Sequence, residues 1–320
     1  MQIQHYLNLI LSAQPETKID FAVGGQAVIE GVMMRSPSSV TIAVRKSDGS
    51  IKIRKKHYRT LTQKYSWLNV PIVRGVVNLF EMMIIGTEAI NYSAAESLDE
   101  DPKEEKQTAL KRALELTMFV TSFAIAIGIS LFLFKVLPLW ITTFIDGKIP
   151  AVHENFVLFN VIDGILKMLI FMTYISLLAL MKDFQRIFEY HGAEHKAIFN
   201  YEKKIPLTPE NSQKQSRFHP RCGTSFILIV FVISIIVYSF VPKQEIFWHN
   251  LVLRLGFLPI IAGVSYEYLK YTAKYATGRF SRALVTPGLW FQRLTTREPN
   301  NEQLEVSIAS LKAALDMEKK

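Results

Sequence analysis

Two histidines and a glutamate fall within five consecutive residues of this chain, in the order His191, Glu194, His195. On a helix, side chains four residues apart lie on one face, so both imidazoles can reach one metal ion while Glu194 stands beside them. Zinc hydrolases of the inverted type use this H-x-x-E-H order, with the glutamate poising a water molecule. The pattern predicts a helical metal site with Glu194 as catalytic base. Two solvated histidines on a polar helix are the alternative.

Further ligand types come from a second motif, HPRCG at residues 219–223. Imidazole and thiolate groups suit zinc, and the proline and glycine hold a short loop that can turn both side chains inward. The alternative is a helix-entry turn in which Cys222 is buried as a small apolar residue. Sharing one ion with the first motif requires a bend in the helix before His191, or a following helix that begins beyond the membrane. The candidate metal ligands are His191, His195 and either or both of His219 and Cys222.

Five charged residues elsewhere suit supporting roles, namely Glu30, Arg35, Glu202, Glu267 and Arg297. Glu30 lies in a glycine-flanked segment where the backbone can approach a ligand closely. Glu202 shares a helical face with the histidines but lies about 10 Å further along a straight helix, too far to bind the same ion. Glu267 can supplement or orient a ligand, and Arg297 can clamp an anion or pair with Glu298. For each residue, a tight turn or a solvated ion pair is the alternative.

Long uncharged runs must position these residues. The chain has 320 residues, of which 49% are hydrophobic and 20% charged, and its mean hydropathy is +0.18. Because about 20 apolar residues cross the hydrocarbon core as a helix, we expect a predominantly α, polytopic membrane protein with about four transmembrane helices. Asp163 and Lys167 interrupt the second run four residues apart and can pair along one helix face. The predicted spans are residues 116–137, 156–181, 223–241 and 246–266.

Positive charge is distributed unevenly between these runs. Because cationic residues oppose translocation, the loops that are rich in Lys and Arg are predicted to be cytoplasmic. This retention explains the net charge of +9 without a nucleic-acid partner. We therefore expect a multi-pass protein of the cytoplasmic membrane, with both termini and all the motifs on the cytoplasmic side. Lys and Arg number 15 in residues 1–115, one in 138–154, eight in 182–223, one in 242–249 and nine in 265–320.

The cytoplasmic segments are expected to fold locally. Alternating residues at 39–45 and 51–55 flank Asp48-Gly49 and predict a β-hairpin over about 39–55, so the N-terminal region is a small α+β unit. Leu304 and Ile308 belong to a helical apolar repeat that predicts an amphipathic helix near the C-terminus. The predicted organisation is an N-terminal region 1–113 with a helix at about 75–95 and an acidic linker at 96–107, a membrane bundle 114–266 with a motif loop 182–222, and a C-terminal segment 267–320.

Five motifs carry a resemblance to a known family. Through them the chain resembles the YqhQ-like bacterial membrane proteins, the family of domain of unknown function 1385, from about Phe21 to the C-terminus. The number, length and order of the motifs make the resemblance specific. It implies a membrane protein and a metal-dependent enzyme whose reaction is not settled. The motifs are GGQAVIEGVMMRSP at 24–37, YHGAEHKAI and a following YE within 190–202, HPRCGTSF at 219–226, SYE at 265–267 and LTTREP at 294–299.

These observations lead to one functional prediction and one alternative from another class. The prediction is a zinc-dependent, hydrolytic membrane enzyme with Glu194 as general base, acting on a membrane-proximal peptide or lipid-linked molecule. The alternative is a non-catalytic scaffold or assembly factor in which a metal or polar cluster staples the loops. Ligand number discriminates them, because a structural zinc site uses four protein ligands and a catalytic one leaves a position open. A single cysteine excludes an intrachain disulfide, and few polar residues at mid-membrane disfavour a transporter.

Overall fold

A computed structural model of the protein describes residues 23–98, 109–220, 222–275 and 279–319. Four strands form an antiparallel sheet in the order β1-β2-β3-β4, each paired with its neighbour in the chain. Gly49 has a φ of 85° in the turn between the last two strands, which glycine adopts without strain. The predicted hairpin is confirmed, and two strands that were not predicted precede it. The strands are β1 Gly24–Val28, β2 Gly31–Arg35, β3 Ser39–Arg45 and β4 Ile51–His57.

Helices make up most of the remaining described chain. A 3₁₀ turn covers Ser66–Leu68, and a π-helical turn covers Phe132–Val136 between two α-helices. The predicted acidic linker begins inside a helix, and its residues 99–107 lie outside the described ranges. The α-helices are α1 Leu61–Lys64, α2 Val73–Ser97, α3 Ala109–Leu131, α4 Leu137–Asp146, α5 Pro150–Glu154, α6 Phe156–Leu178, α7 Lys182–Glu202, α8 Pro209–Gln213, α9 Gly223–Ser239, α10 Phe247–Gly256, α11 Leu258–Tyr275, α12 Arg279–Thr295 and α13 Asn301–Glu318.

Three helical stretches in the described chain are long and apolar enough to cross a membrane, namely Val120–Asp146, Phe156–Leu178 and Phe247–Tyr271. The third predicted span, 223–241, corresponds to α9, which is apolar but has only 17 residues. At a rise of 1.5 Å per residue it is about 25 Å long, somewhat less than a hydrocarbon core of about 30 Å. The predicted membrane fold with an N-terminal sheet is confirmed, and the number of spans is three by length, with α9 as a shorter fourth.

The described chain divides into two compact units, and the sheet lies in one of them. This unit combines described residues of Met1–Asp101, Ser176–Ile229 and Gly263–Lys320. Val32 of β2 faces a core formed with α7 and α13, where Leu311 is fully buried. Met33, the next residue, faces the other side, where Ile85 of α2 packs. Because side chains alternate along a strand, β2 is buried on both faces, and the sheet is covered by α13 on one face and α2 on the other.

The second unit, Pro102–Ile175 and Val230–Ala262, buries a cluster of charged side chains. Asp163 accepts hydrogen bonds from both Lys167 and Arg254, and all three side chains are buried. Tyr238 donates its hydroxyl to the Arg254 carbonyl over 2.8 Å. The pairing expected between Asp163 and Lys167 is therefore present, and Arg254 provides a second cation for the same carboxylate.

Candidate metal centre

The H-x-x-E-H motif lies on α7, which is separated from α6 by a break in the helix. The α6 helix ends at Leu178, and Met181 has an extended backbone, with φ −80° and ψ 132°, before α7 begins. Had α6 continued straight on, His191 would stand about 15 Å beyond the end of the predicted span at Met181. The interruption supplies the bend that a site shared with Cys222 requires.

Three of the candidate ligands meet at one point, namely His191, His195 and Cys222. One ligand atom from each lies within 4.8 Å of the other two. The Nε2 atom of His191 is 3.2 Å from the sulfur of Cys222, and the two imidazole centroids are 4.4 Å apart. His195 Nε2 is buried and makes no hydrogen bond of normal geometry to any described residue. The cluster thus presents two nitrogens and one sulfur to a common position.

Backbone carbonyls fix the orientation of both imidazoles. His191 Nδ1 is 2.8 Å from the Thr295 carbonyl oxygen, and His195 Nδ1 is 2.6 Å from that of Arg217. A carbonyl can only accept a hydrogen bond, so each Nδ1 must carry its proton and donate it. In the neutral rings, the Nε2 lone pairs then face the cluster. A hydrogen bond from the other ring nitrogen orients metal-binding histidines in this way.

Gly192 is required by packing rather than by helix formation. A Cβ at this position would lie 2.0 Å from the Arg297 carbonyl oxygen. The segment after α12 crosses α7 here, and the Arg297 N–H donates to the Phe188 carbonyl over 2.8 Å. Glycine weakens a helix by about 1 kcal/mol relative to alanine, but its small size lets this segment approach and bring the Thr295 carbonyl to His191.

Electrostatic interactions within the cluster favour the form of cysteine that binds metals. Burial opposes ionisation of the Cys222 thiol, but His195 and His191 outweigh it and hold the pKa of Cys222 well below its usual range. Burial also opposes protonation of His191, but the adjacent Cys222, with help from Glu194, raises the pKa of His191 to about 9. The Thr224 N–H, at the start of α9, donates to the sulfur over 3.4 Å. The site therefore stabilises a thiolate, which is the ligating form.

Glu194 lies beside the cluster, in a buried position against the sheet. Its side chain is 4% exposed, and burial raises the pKa of its carboxyl group. One oxygen, Oε2, has no hydrogen-bond partner among the residues described. A Cβ on Gly25 of β1 would lie 2.9 Å from the Glu194 carboxyl carbon, so the close approach requires glycine there. A buried carboxylate with a raised pKa and a vacant oxygen suits proton transfer.

The structure places His219 outside the cluster. Its Nε2 lies 3.3 Å from an oxygen of Glu202, and its ring centroid lies 4.4 Å from that of Phe199, with the rings tilted by 55°. Gln292 holds its backbone, accepting the His219 N–H over 2.8 Å and donating to the His219 carbonyl over 2.7 Å. Burial lowers the pKa of His219 to about 4. Cys222 therefore takes the third position in the cluster, while His219 and Glu202 pair with each other.

The four remaining supporting candidates contact other parts of the protein. Glu30 occupies the turn between β1 and β2 with a φ of 50°. Arg297 does not pair with Glu298, which forms an ion pair with Lys196 over 2.9 Å. Their contacts are Glu30 with Arg186, Arg35 with the Met82 sulfur, Glu267 with Arg74, and Arg297 with the Ala179 carbonyl.

Several residues of the site were not predicted from the sequence. Thr295 and Arg217 act through their carbonyl oxygens, which every residue type offers, so their side chains give no signal. Gln292 acts through an amide that bridges to a distant loop. Only the position of Thr295 within the LTTREP motif pointed toward this region. In that motif the prediction was based on the charged residues Arg297 and Glu298 instead.

The fold and the cluster define a class of membrane protein in which an H-x-x-E-H helix, a cysteine at the start of an apolar helix and an N-terminal sheet share one compact unit. The family described as "Protein of unknown function (DUF1385)" matches residues 70–317, and the chain belongs to that family. The "Uncharacterized protein YqhQ" of Bacillus subtilis (strain 168) is 36% identical over 306 residues, which cover 94% of each chain. No solved structure matches the chain. The expected family is confirmed, and its description assigns no reaction.

Proposed function

We propose that this protein is a metal-dependent hydrolytic enzyme of the cytoplasmic membrane, with a zinc-like ion held by His191, His195 and Cys222. The observation that carries the proposal is the convergence of three ligand atoms within 4.8 Å. Two imidazole nitrogens and a thiolate are a donor set that suits zinc, and the buried His195 Nε2, which makes no hydrogen bond of normal geometry to a described residue, fits the same donor set. A bound zinc ion would supply water activation at neutral pH.

The number of protein ligands supports a catalytic role. Among the described His, Cys, Asp and Glu residues, the cluster has three members, and neither His219 nor Glu194 is one of them. Structural zinc sites use four protein ligands, whereas catalytic sites use three and leave one position for water or substrate. The cluster therefore has the ligand number of a catalytic site.

The residues around the cluster can divide the work of hydrolysis. Glu194 would accept a proton from the attacking water through its vacant oxygen and return it to the leaving group. The carbonyls of Thr295 and Arg217 would keep both imidazoles oriented while this occurs. The positive-inside charge distribution favours a cytoplasmic site, so a membrane-proximal peptide or a lipid-linked molecule is the substrate class that we propose.

One observation favours the alternative of a non-catalytic scaffold. The cluster connects α7 to the residue before α9, and through the Thr295 carbonyl it also connects α7 to the end of α12. His195 is 1% exposed and Cys222 is 7% exposed. Such burial is expected of a cross-link that only holds segments of the chain together. In that case a metal would stabilise the fold and bind no substrate.

Cobalt substitution of the full-length protein distinguishes the two functions. Co²⁺ bound by the thiolate gives visible absorption bands, and azide shifts these bands when a coordination position is open. We expect azide to shift the bands of the wild-type protein. Bands that azide leaves unchanged would contradict the catalytic proposal and support the scaffold.

Glu194→Gln provides the matched variant for the same experiment. If Glu194 is a general base, the variant is expected to bind cobalt as the wild-type protein does and to keep its response to azide. Loss of cobalt from Glu194→Gln would instead make Glu194 a ligand, complete a four-ligand site and remove the base from the proposal.

A further inference from the structure

An uncharged apolar face runs along α2 and is not covered by any described residue. Its most exposed side chains are Phe80 at 58% and Ile84 at 65%. These residues recur at helical spacing on the side opposite Ile85 and Ala89, which pack against the sheet. Proteins rarely leave a contiguous apolar surface of this kind in water. The large side chains of the face are Val73, Leu79, Phe80, Met83, Ile84 and Ile90.

The charged residues of α2 all contact the protein rather than this face. Glu81, for example, accepts the Tyr58 hydroxyl over 2.6 Å. None of the charged side chains of α2 is therefore turned toward its apolar face. The contacts of the four charged residues are Arg74 with Glu267, Glu81 with Tyr58, Glu88 with Lys56, and Glu96 with Lys52.

The start of α2 is attached to the end of a candidate membrane span. Arg74 forms a two-pronged ion pair with Glu267, and Asn78 donates its amide to the Tyr266 hydroxyl over 2.9 Å. Tyr266 and Glu267 lie near the C-terminal end of the span Phe247–Tyr271. These contacts hold the first turns of α2 beside the C-terminal end of that span.

The residue before α2 is held in a strained conformation that sets the direction of the helix. Ile72 has a φ of 71°, which is an outlier for a β-branched side chain and is a strained conformation. It packs against α11, where a Cβ on Gly263 would lie 2.4 Å from an Ile72 methyl group. The surrounding contacts thus impose one course on the chain where it enters α2.

The adjoining sequence has the composition of a membrane-water interface. Residues 49–80 contain seven Lys or Arg residues and no Asp or Glu. Trp67 is 71% exposed and Tyr65 is 43% exposed. Tryptophan and tyrosine concentrate at the head-group level, and cations beside them are attracted to anionic lipids.

We propose that α2 and the segment 65–72 lie in the head-group region of a bilayer containing anionic lipid, with the apolar face of α2 turned toward the acyl chains. An amphipathic helix binds in this way when its apolar side enters the boundary between head groups and chains. Lys64, which is exposed three residues before Trp67, meets the lipid phosphates. This membrane contact is independent of the candidate metal centre.

Tryptophan quenching by brominated lipid tests the proposal on the full-length protein. The protein is reconstituted in vesicles of phosphatidylcholine and phosphatidylglycerol, with or without bromine on the acyl chains. Subtracting the emission of Trp67→Phe isolates the contribution of Trp67 from that of the other tryptophans. We expect bromine to quench the Trp67 contribution and aqueous acrylamide to leave most of it.

Other occupants of the face give different results. A Trp67 contribution that bromine does not quench would overturn the proposal, whether acrylamide quenches it, as in water, or not, as beneath a second protein. Ile84→Lys places a charge on the face and is expected to reduce the quenching by bromine. Ser50→Lys, in the turn between β3 and β4, is the matched control and is expected to leave it unchanged.

Discussion

The protein buries two clusters of polar side chains, and the charges in these clusters are compensated in different ways. In the unit that contains the candidate spans, Asp163 meets its counter-charges within the chain, because Lys167 and Arg254 both donate to it. In the unit that contains the sheet, His191, His195 and Cys222 gather ligand atoms, one of which has no hydrogen-bond partner of normal geometry in the described chain. The first cluster contains its own cations, whereas the second presents the ligand atoms that would hold the proposed metal ion.

This difference separates a structural role from a binding role. A carboxylate between two cations cross-links the elements that carry them, and its own charge is compensated without a ligand. In the second cluster, the two oriented imidazoles compensate the charge of the stabilised thiolate only in part. Changes in the first cluster should therefore act on stability, whereas changes in the second should act on metal content.

Asp163→Ala is expected to have the largest effect on stability. The substitution leaves Lys167 and Arg254 buried without their carboxylate, which costs about 3–5 kcal/mol when one partner of a buried pair is removed. Thermal unfolding in detergent measures the loss, and the folded fraction should keep the metal content of the wild-type protein. Unfolding at the wild-type temperature would show that the cluster is not balanced internally.

Gly192→Ala is expected to have an intermediate effect on both stability and metal content. Its methyl group would clash with the Arg297 carbonyl, and displacement of packed segments costs about 1–3 kcal/mol. The shift also moves the Thr295 carbonyl away from His191, so metal should bind more weakly in a competition with a chelator.

Gly128→Ala is the matched control, since Gly128 is also inside a helix but a Cβ there meets no atom within 4 Å. Alanine should stabilise that helix by up to about 1 kcal/mol relative to glycine. If both variants unfolded at the same temperature, the close crossing at Gly192 would not be what requires glycine.

Glu88→Gln is expected to have the smallest effect, because its partners lie at the surface. The hydrogen bond from Lys56 lowers the pKa of Glu88 below its ordinary value of 4.5. The stabilisation is therefore complete above that value and is lost as the pH falls through the lowered pKa. The variant should be less stable than the wild-type protein by under about 1 kcal/mol near pH 7, and equally stable in strong acid. A difference that persisted in acid would contradict this cause.

The fold was largely predictable where one pattern determines one element. Uncharged runs identified the apolar helices, and the alternation around Asp48-Gly49 identified the hairpin. The strands β1 and β2 escaped prediction because β2 is buried on both faces, so it lacks the polar alternation that marks a half-exposed strand. The glycines of β1 and β2 permit close packing, but in the sequence they suggested a segment that approaches a ligand.

The candidate site was predictable only where its ligands lie on one helix. The spacing of His191 and His195 determines a shared face, whereas the choice between His219 and Cys222 depends on how a loop folds back. The loop directs His219 toward Glu202, a pairing between residues 17 positions apart that no local pattern contains. The carbonyls that orient the imidazoles are invisible in a sequence for the same reason.

Elemental analysis of the purified protein tests the central claim most directly. We expect stoichiometric metal in the wild-type protein under metal-replete conditions and in His219→Ala, and loss of that metal in His195→Ala. The pair separates ligation from general damage, because both variants remove a buried imidazole from the same region. A wild-type protein without stoichiometric metal, or equal metal in His195→Ala, would contradict the assignment of His191, His195 and Cys222 as a metal centre.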